Sequence, residues 1–177
     1  MTKKNLMPTV VLGIICIAVA AVLALVNGFT APIIETATVA RQQASLKEVL
    51  PAATEFEKLE LDSLPETVFE VYRDKGGSGY ALLLSTSSQY TSGDNMGITV
   101  AVNPDGEITG IKLTTYTESK DFGKAAYPAS YIGENAEEVA VHHTTAGVTY
   151  SSKALRGALS DALKALADNN LLNGGNN

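Results

Sequence analysis

The chain has 177 residues, a formal net charge of −6 and a single cysteine. This length suits one folded domain with a short additional segment, and the scattered lysines and arginines exclude a nucleic-acid-binding protein. Cys16 lies in the apolar N-terminal stretch, so the rest of the chain has no thiol for a disulfide, a zinc site or an iron–sulfur cluster. Any redox chemistry there requires an organic cofactor.

The N-terminal stretch predicts a transmembrane helix. No charged residue occurs from Asn5 to Gly28, and a helix of that length, rising about 1.5 Å per residue, crosses a hydrocarbon core of about 30 Å. The alternative is a cleaved signal peptide, whose apolar region usually has about 7 to 15 residues and ends at a small-residue cleavage site. The run here is longer and has no persuasive cleavage site, which favours a retained anchor.

The basic residues predict the orientation of this anchor. Lys3 and Lys4 precede the apolar run, whereas the next basic residue is Arg41. The positive-inside rule therefore predicts a single-pass protein of the cell membrane, with a cytoplasmic N-terminus and the remaining chain on the extracellular or periplasmic side. The run contains no ionisable side chain, so any ion transport would be carried out by other subunits.

The rest of the chain divides into three predicted segments after an anchor over residues 1–30. A loose helical spacing predicts a connecting helix over residues 31–52, which Pro51 ends. Residues 53–168 are predicted to form the folded domain. Residues 169–177 are rich in asparagine and glycine and are predicted to be a flexible tail.

Alternating apolar residues predict a mostly antiparallel sheet in this domain. Strands are predicted over residues 67–72, 80–84, 98–102 and 107–116, with turns at residues 74–79 and at Asn103-Pro104-Asp105-Gly106. In the first of these strands, Val68 and Tyr72 would lie on one face and Phe69 and Val71 on the other. In the last predicted strand, the apolar positions switch between odd and even residue numbers from Ile108 to Ile111, which predicts a bulge near Gly110.

A final amphipathic helix is predicted over residues 152–167. Its apolar residues recur at helical spacing, and they are Leu155, Ala158, Leu159, Ala162, Leu163 and Leu166. One face of this helix must pack on the sheet. The predicted fold class is therefore α+β, with one N-terminal transmembrane helix followed by an antiparallel-sheet domain with packed helices.

The turn before this helix carries the chemistry, and we call residues 146–152 the phosphate turn. Its sequence, Ala-Gly-Val-Thr-Tyr-Ser-Ser, combines small residues with hydroxyls and leads into a helix expected to begin near Lys153. The positive end of a helix and its exposed backbone N–H groups suit a phosphate, which the Thr149 hydroxyl could hold covalently. The alternative is an ordinary helix start, in which Ser151 or Ser152 is the N-cap.

Two adjacent histidines, His142 and His143, raise the possibility of a metal site, which we reject. Adjacent residues on a strand point to opposite faces, and the sequence offers no further cysteine or histidine to complete the ligand set. The pair is expected to end a strand that leads to the phosphate turn. Hydrolase chemistry has no support either, because no Ser/His/Asp set with recognisable spacing appears.

Three features together resemble those of a known family. They are the predicted anchor, the hairpin at Asp105–Lys112, and the Gly-x-Thr-x-Ser-Ser turn before an alanine- and leucine-rich helix. The chain resembles the FMN-binding G subunit of Rnf electron transport complexes, and it is similar to the C subunit of the sodium-translocating NADH:quinone reductase. The resemblance implies covalent FMN on Thr149 through a phosphoester bond, with Gly147, Val148, Ser151 and Ser152 also at the cofactor. It implies no catalytic residue and no metal site.

The resemblance also implies a loop beside the flavin. In the family this loop reads Glu-Thr-Pro-Gly-Leu-Gly, and the matching residues here are Glu118, Phe122 and Gly123, with Phe122 as an apolar wall against the ring. A plain solvated loop is the alternative. The chain departs from the family at Ala146, where a hydroxyl residue is usual, and at His143, where an acidic residue is frequent.

The function implied by the resemblance is electron relay within an ion-translocating ferredoxin:NAD oxidoreductase. The implied partners are the other membrane subunits of the complex and a flavin-transferring enzyme. Two alternatives remain open. One is an outward-facing anchored module that binds FMN noncovalently, or a phosphorylated ligand or partner, without redox work. The other is a stand-alone extracellular flavin reductase.

Overall fold

The computed structural model describes residues 3–61, 63–88, 96–117, 126–144 and 147–173, with the backbone alone for residues 3–9, 28–41 and 126. The chain forms two compact units, residues 1–42 and residues 43–177. The domain boundaries predicted from the sequence stay predictions.

The first unit is helical. Helix α1 is Lys3–Val49, and it ends just before Pro51, as the sequence predicts. Within it, Val10–Asn27 has a mean hydropathy of 2.9 and none of these residues is buried. By length and composition this segment can cross a membrane, although a signal sequence near an N-terminus would meet the same criteria.

The described residues of the second unit form one antiparallel sheet. Its strands are β1 (Phe56–Leu59), β2 (Val68–Asp74), β3 (Tyr80–Thr86), β4 (Met96–Val102) and β5 (Ile108–Tyr116). The spatial order is β1-β2-β3-β4-β5, so each strand pairs with the next along the chain. The two predicted turns connect β2 to β3 and β4 to β5. Strand β1 is short and was not predicted, because its sequence is polar and weakly periodic.

In the described part of the chain, three helices follow the sheet, namely α2 (Ala126–Ala129), α3 (Ala136–Val141) and α4 (Thr149–Asp168). The short helices α2 and α3 were not predicted. The buried face of α4 contains all six apolar residues expected from the spacing. The prediction of an α+β fold is therefore confirmed.

Both faces of the sheet are covered. On one face, α4 packs its leucines against β2, β3 and β4 in a cluster that includes Val71, Leu82 and Ile98. On the other face, Leu46 and Val49 from the end of α1 and Leu50 just after it pack over small residues of the sheet, including Ala81 and Ala101. All residues of β4 from Ile98 to Val102 are consequently buried.

Three shifts of strand register, one between β2 and β3 and two between β4 and β5, decide which side chains share a face. In β5 the pairing with β4 skips Thr109, which confirms the bulge predicted near Gly110. In β2 the register shifts between Val68 and Glu70. The strict alternation predicted for β2 is therefore wrong, because the extra residue places Val68 and Val71 in the same hydrophobic cluster.

The segment after α4 begins the predicted tail, whose flexibility stays a prediction. The backbone N–H of Leu171 donates to the carbonyl of Leu166, and that of Asn173 donates to the carbonyl of Pro104. Residues 169–173 thus pack back on the β4–β5 turn, and the remaining tail residues lie outside the described part of the chain.

Candidate functional site

The phosphate turn places Thr149 at the first position of α4. The N-cap residue is Val148, whose side chain makes no cap hydrogen bond, and Gly147 before it has a φ of +86°. The helix therefore begins at Thr149, and the predicted start near Lys153 is wrong. The side chain of Thr149 is exposed.

The two serines of the turn lie inside the helix. Ser151 and Ser152 are 3% and 0% exposed, and the Ser152 hydroxyl donates to the Val148 carbonyl at 2.9 Å. Neither serine is the N-cap, so that form of an ordinary helix start is wrong. The direct roles of these hydroxyls at a cofactor phosphate stay predictions.

Sequence reasoning missed one basic residue at this end of α4. Lys153 lies four residues after Thr149 in the same helix, and its side chain is exposed. Residues at this spacing are neighbours on a helix surface. The ammonium group of Lys153 is close enough to attract an anion attached to Thr149. The i, i+4 spacing of Thr149 and Lys153 was the sequence signal that could have indicated this.

Three observations indicate that the N-terminal end of α4 suits a phosphate group. The Thr149 hydroxyl is exposed at the positive end of a 20-residue helix. The apolar cap Val148 supplies no side-chain oxygen that would compete for the first backbone N–H groups. A Cβ built on Gly147 would meet no atom within 4 Å, so the approach to this backbone is open.

Several residues predicted at the site lie outside the described part of the chain. These are Glu118, Phe122 and Gly123 of the predicted flavin loop, together with Ala146 of the phosphate turn. Their roles stay predictions.

Side chains around the segment that precedes the phosphate turn form a cluster that sequence reasoning missed. We call it the lead-in cluster, and its members are Tyr127, Ser130, Tyr131, Glu134, His142, His143 and Arg156. His142 is 8% exposed, and its ring stacks on Tyr131 with centroids 3.9 Å apart. Its Nδ1 lies 2.6 Å from Oε1 of Glu134, and its Nε2 lies 3.0 Å from Oγ of Ser130.

The predicted environment of the two histidines is wrong. They follow helix α3 in irregular backbone and do not end a strand. Their rings also do not point to opposite faces, because they stack with centroids 4.6 Å apart and an interplanar angle of 21°.

Ser130, His142 and Glu134 are arranged in the order of a nucleophile, a base and an orienting acid. The Ser130 hydroxyl, however, donates to the carbonyl of Tyr127 at 2.6 Å. Its single proton is thus directed away from His142, which does not suit a nucleophile. Spacing could not reveal this group, because the fold of residues 126–144 brings the three side chains together.

Comparison with known proteins agrees with the geometry of the turn. Residues 92–164 match the sequence model of the FMN-binding domain. The matched stretch contains β4, β5, α2, α3 and most of α4, so Thr149 and Lys153 lie within it.

A relative of known function extends this similarity beyond the FMN-binding domain. The chain is 29% identical over 170 residues to the G subunit of the Na(+)-translocating ferredoxin:NAD(+) oxidoreductase complex of Acetobacterium woodii. The similarity covers 83% of this chain and 81% of that protein. The resemblance to the Rnf G subunit drawn from the sequence is therefore confirmed.

Proposed function

We propose that the chain is a membrane-anchored flavoprotein subunit of an Rnf-type complex, with FMN attached to Thr149 through its phosphate. The observation that carries this proposal is an exposed threonine, Thr149, at the first position of α4 within the stretch that matches the FMN-binding domain. Similarity to the G subunit of a ferredoxin:NAD(+) oxidoreductase complex supports the assignment to a complex.

Attachment exchanges a phosphate ester or anhydride bond of the flavin donor for a new phosphate ester bond to Thr149. Thr149 Oγ forms a bond to the phosphorus of a flavin nucleotide donor while the bond to the donor's leaving group breaks. The hydroxyl proton passes to a base of the flavin-transferring enzyme. The first turn of α4 and Lys153 stabilise the negative charge of the resulting diester.

Bound FMN supplies the electron chemistry, whereas the protein supplies position and electrostatics. A tether through the phosphate leaves the ring free to meet neighbouring cofactors. It also prevents loss of the cofactor if the domain faces the extracellular or periplasmic side, as the charges flanking the anchor predict. The expected partners are the other membrane subunits of the complex.

The test is denaturing electrophoresis viewed under ultraviolet light, with the chain made in a host that attaches flavin. The wild-type chain should give a fluorescent band, and mass spectrometry should place FMN on the peptide that contains Thr149. Thr149→Val should abolish the band without unfolding the domain, because the side chain is exposed. Thr115→Val, at another exposed threonine of the domain, is the matched control and should keep the band.

Lys153→Gln should lower the rate of attachment a few-fold without abolishing it, since it removes one attractive charge. A fluorescent band that survives Thr149→Val would disprove attachment at this residue. A yellow native protein with no fluorescent band would mean noncovalent FMN. A colourless wild-type protein would favour a module that binds a phosphorylated ligand or partner without redox work.

A further inference from the structure

A groove lies along the C-terminal half of α4, and we call it the α4 groove. On this helix it is lined by Ser160, Leu163, Lys164 and Ala167. Ser160 lies 11 residues after Thr149, which is about 16 Å along a helix. The groove has a volume of about 750 Å³, and binding sites typically have about 300 to 1,000 Å³. It is therefore large enough to bind a partner and is separate from the proposed point of flavin attachment.

The spacing of these four residues makes the α4 groove elongated. Positions i, i+3, i+4 and i+7 form one stripe on a helix, so the lining follows the axis of α4 for about 10 Å. Ser160 and Ala167 have small side chains, and Leu163 between them is 1% exposed. A groove of this shape suits a protein segment of about two helical turns laid beside α4.

Backbone hydrogen bonds hold the two walls of the α4 groove. One wall is the β4–β5 turn together with Leu172, and the N–H of Asn173 donates to the Pro104 carbonyl at 2.8 Å. The other wall is the start of α3, and just before it the N–H of Ile108 donates to the Glu134 carbonyl at 2.9 Å. Both walls are thus tied to the hairpin of β4 and β5. The groove is preformed, so binding there requires little ordering of this chain.

The rim of the α4 groove is acidic. Asp105 lies on the first wall and Glu137 on the second, and both residues are exposed. Neither carboxylate forms an ion pair with a basic side chain in the described part of the chain. Lys164, also in the lining, pairs with Asp168 one turn later in α4. The negative charge of Asp105 and Glu137 is therefore available to a partner.

Neighbouring residues add to this negative charge. Residues 103–107 and 135–141, which contribute to the two walls, include no lysine or arginine. Glu107 accepts from the side-chain amide of Asn103, and Glu138 accepts from a backbone N–H, so only neutral donors contact these two carboxylates. A surface of this kind attracts basic partners and repels phosphate-bearing ligands.

We propose that the α4 groove docks a basic segment of a neighbouring membrane subunit. A lysine or arginine of that segment pairs with Asp105 or Glu137, and an apolar side chain packs against Leu163 and Leu172. This inference rests on the proposed function, which supplies membrane subunits as partners. The groove would hold the C-terminal half of α4 against the partner and leave the phosphate turn accessible.

The first experiment purifies the tagged full-length chain from its native membranes in mild detergent and measures the membrane subunits that remain bound. Asp105→Lys combined with Glu137→Lys places like charges against the partner, so the bound subunits should fall about tenfold at about 150 mM salt. The matched control combines Glu60→Lys with Glu66→Lys, at two exposed acidic residues that do not line the groove. It makes the same change of net charge and should keep the subunits.

A second variant tests the shape of the α4 groove without changing its charge. Ala167→Trp fills the groove, and the folded domain should tolerate the substitution because Ala167 is exposed. It should also lower the bound subunits about tenfold, since the partner segment no longer fits. Ala52→Trp, at an exposed alanine that does not line the groove, should leave them unchanged. Thermal unfolding of each purified variant checks that the domain remains folded.

Crosslinking from the groove identifies its occupant. The photoreactive residue benzoylphenylalanine, placed at position 167 and irradiated in native membranes, should form a bond to a peptide of another membrane subunit that contains lysine or arginine. Replacing that basic residue by glutamate should restore assembly with the chain that carries Asp105→Lys and Glu137→Lys. A crosslink to a second copy of this chain, a crosslink to a segment without a basic residue, or no crosslink would overturn the docking role.

Measuring flavin on Thr149 in the same samples separates this inference from the proposed function. Groove variants that keep both their flavin and their subunits would overturn the docking role alone. A wild-type chain that binds subunits but has no flavin on Thr149 would overturn covalent attachment, while loss of those subunits in the groove variants would still support docking. A wild-type chain that binds no membrane subunit would overturn both the assignment to a complex and the docking role.

Discussion

Asp74 shows how one buried carboxylate joins distant parts of the domain. It is 1% exposed and accepts hydrogen bonds from the backbone N–H groups of Thr54, Glu55 and Ser78, at 2.9, 3.3 and 3.0 Å. These bonds tie the segment after α1 to the β2–β3 turn. The hydrogen bond from the Ser78 backbone is the largest cause that holds the pKa of Asp74 well below its usual range, and burial opposes it.

We expect Asp74→Asn to lower the free energy of unfolding at pH 7, since an amide is a weaker acceptor for several N–H groups. The folded-state pKa of Asp74 is lowered, so its contribution is fully present above the ordinary value of 3.8 and is lost as the pH falls towards the lowered folded value. Urea unfolding of the full chain in mild detergent should show a difference between wild type and Asp74→Asn that shrinks below about pH 4.

The matched control for this measurement is Glu60→Gln, at an exposed acidic residue, which should leave the unfolding free energy unchanged within about 0.5 kcal/mol. A difference between Asp74→Asn and wild type that stayed constant from pH 7 to pH 2 would show that the charge of Asp74 contributes nothing.

At the scale of elements, the close approach of α1 to β5 depends on a residue without a side chain. A Cβ built on Gly110 would lie 2.1 Å from the carbonyl oxygen of Val49. The bulge at Thr109 sets Gly110 in this position. An ion pair between Glu48 and Lys112 lies nearby and joins the same two elements. The end of α1 is therefore a packed part of the sheet domain.

Gly110→Ala should destabilise the domain by about 1 to 3 kcal/mol, because the added methyl group forces α1 and β5 apart. Thermal unfolding measures this loss. Gly157→Ala is the control on α4, where a Cβ would meet no atom within 4 Å. It should stabilise by about 0.5 to 1 kcal/mol, because alanine is the better helix former. Equal melting temperatures for wild type and Gly110→Ala would contradict the close packing of α1 on β5.

At the scale of the whole molecule, helix α1 combines an unburied apolar segment with an end that packs in a hydrophobic core. Val10–Asn27 is apolar and unburied, whereas Leu46, Val49 and Leu50 are core residues of the second unit. The compact unit accordingly begins at residue 43, before the end of α1. This arrangement makes the last turns of the helix part of the domain rather than a dispensable linker.

Two truncations should separate these roles. A chain that begins at residue 43 should be soluble and folded, since it loses the apolar segment and keeps the second hydrophobic cluster. A chain that begins at Pro51 loses Leu46, Val49 and Leu50 and should aggregate or unfold below 37 °C, because burying each leucine or valine contributes about 1.5 to 3 kcal/mol. Circular dichroism and sedimentation measure both results.

The full-length chain should stay in the membrane fraction after washing with alkaline carbonate. Mass spectrometry of the native protein should find the N-terminal helix intact. A mature chain that begins after about residue 30 would instead identify a cleaved signal peptide.

The sequence by itself determined the features that depend on local chemistry. Turn-forming residues predict the Asn103–Gly106 turn. The spacing of apolar residues predicts the bulge near Gly110 and the buried face of α4, because both depend on residues that are close in the chain. The apolar run of the anchor is likewise a local property. The anchor, the hairpin at Asp105–Lys112 and the phosphate turn together indicated the resemblance to the Rnf G subunit, whereas the phosphate site at the turn stays a prediction.

Only the tertiary structure decided the features that join distant residues. Strand β1 is polar and short, and it is a strand because β2 offers it a partner. Val148 caps α4 in place of a serine because the backbone turns into the helix earlier than the hydroxyls suggest. Ser130, Glu134 and His142 meet because the chain from α2 to the residue after α3 folds back on itself. Such contacts leave no periodic trace in the sequence, since each depends on packing between segments rather than on neighbours in the chain.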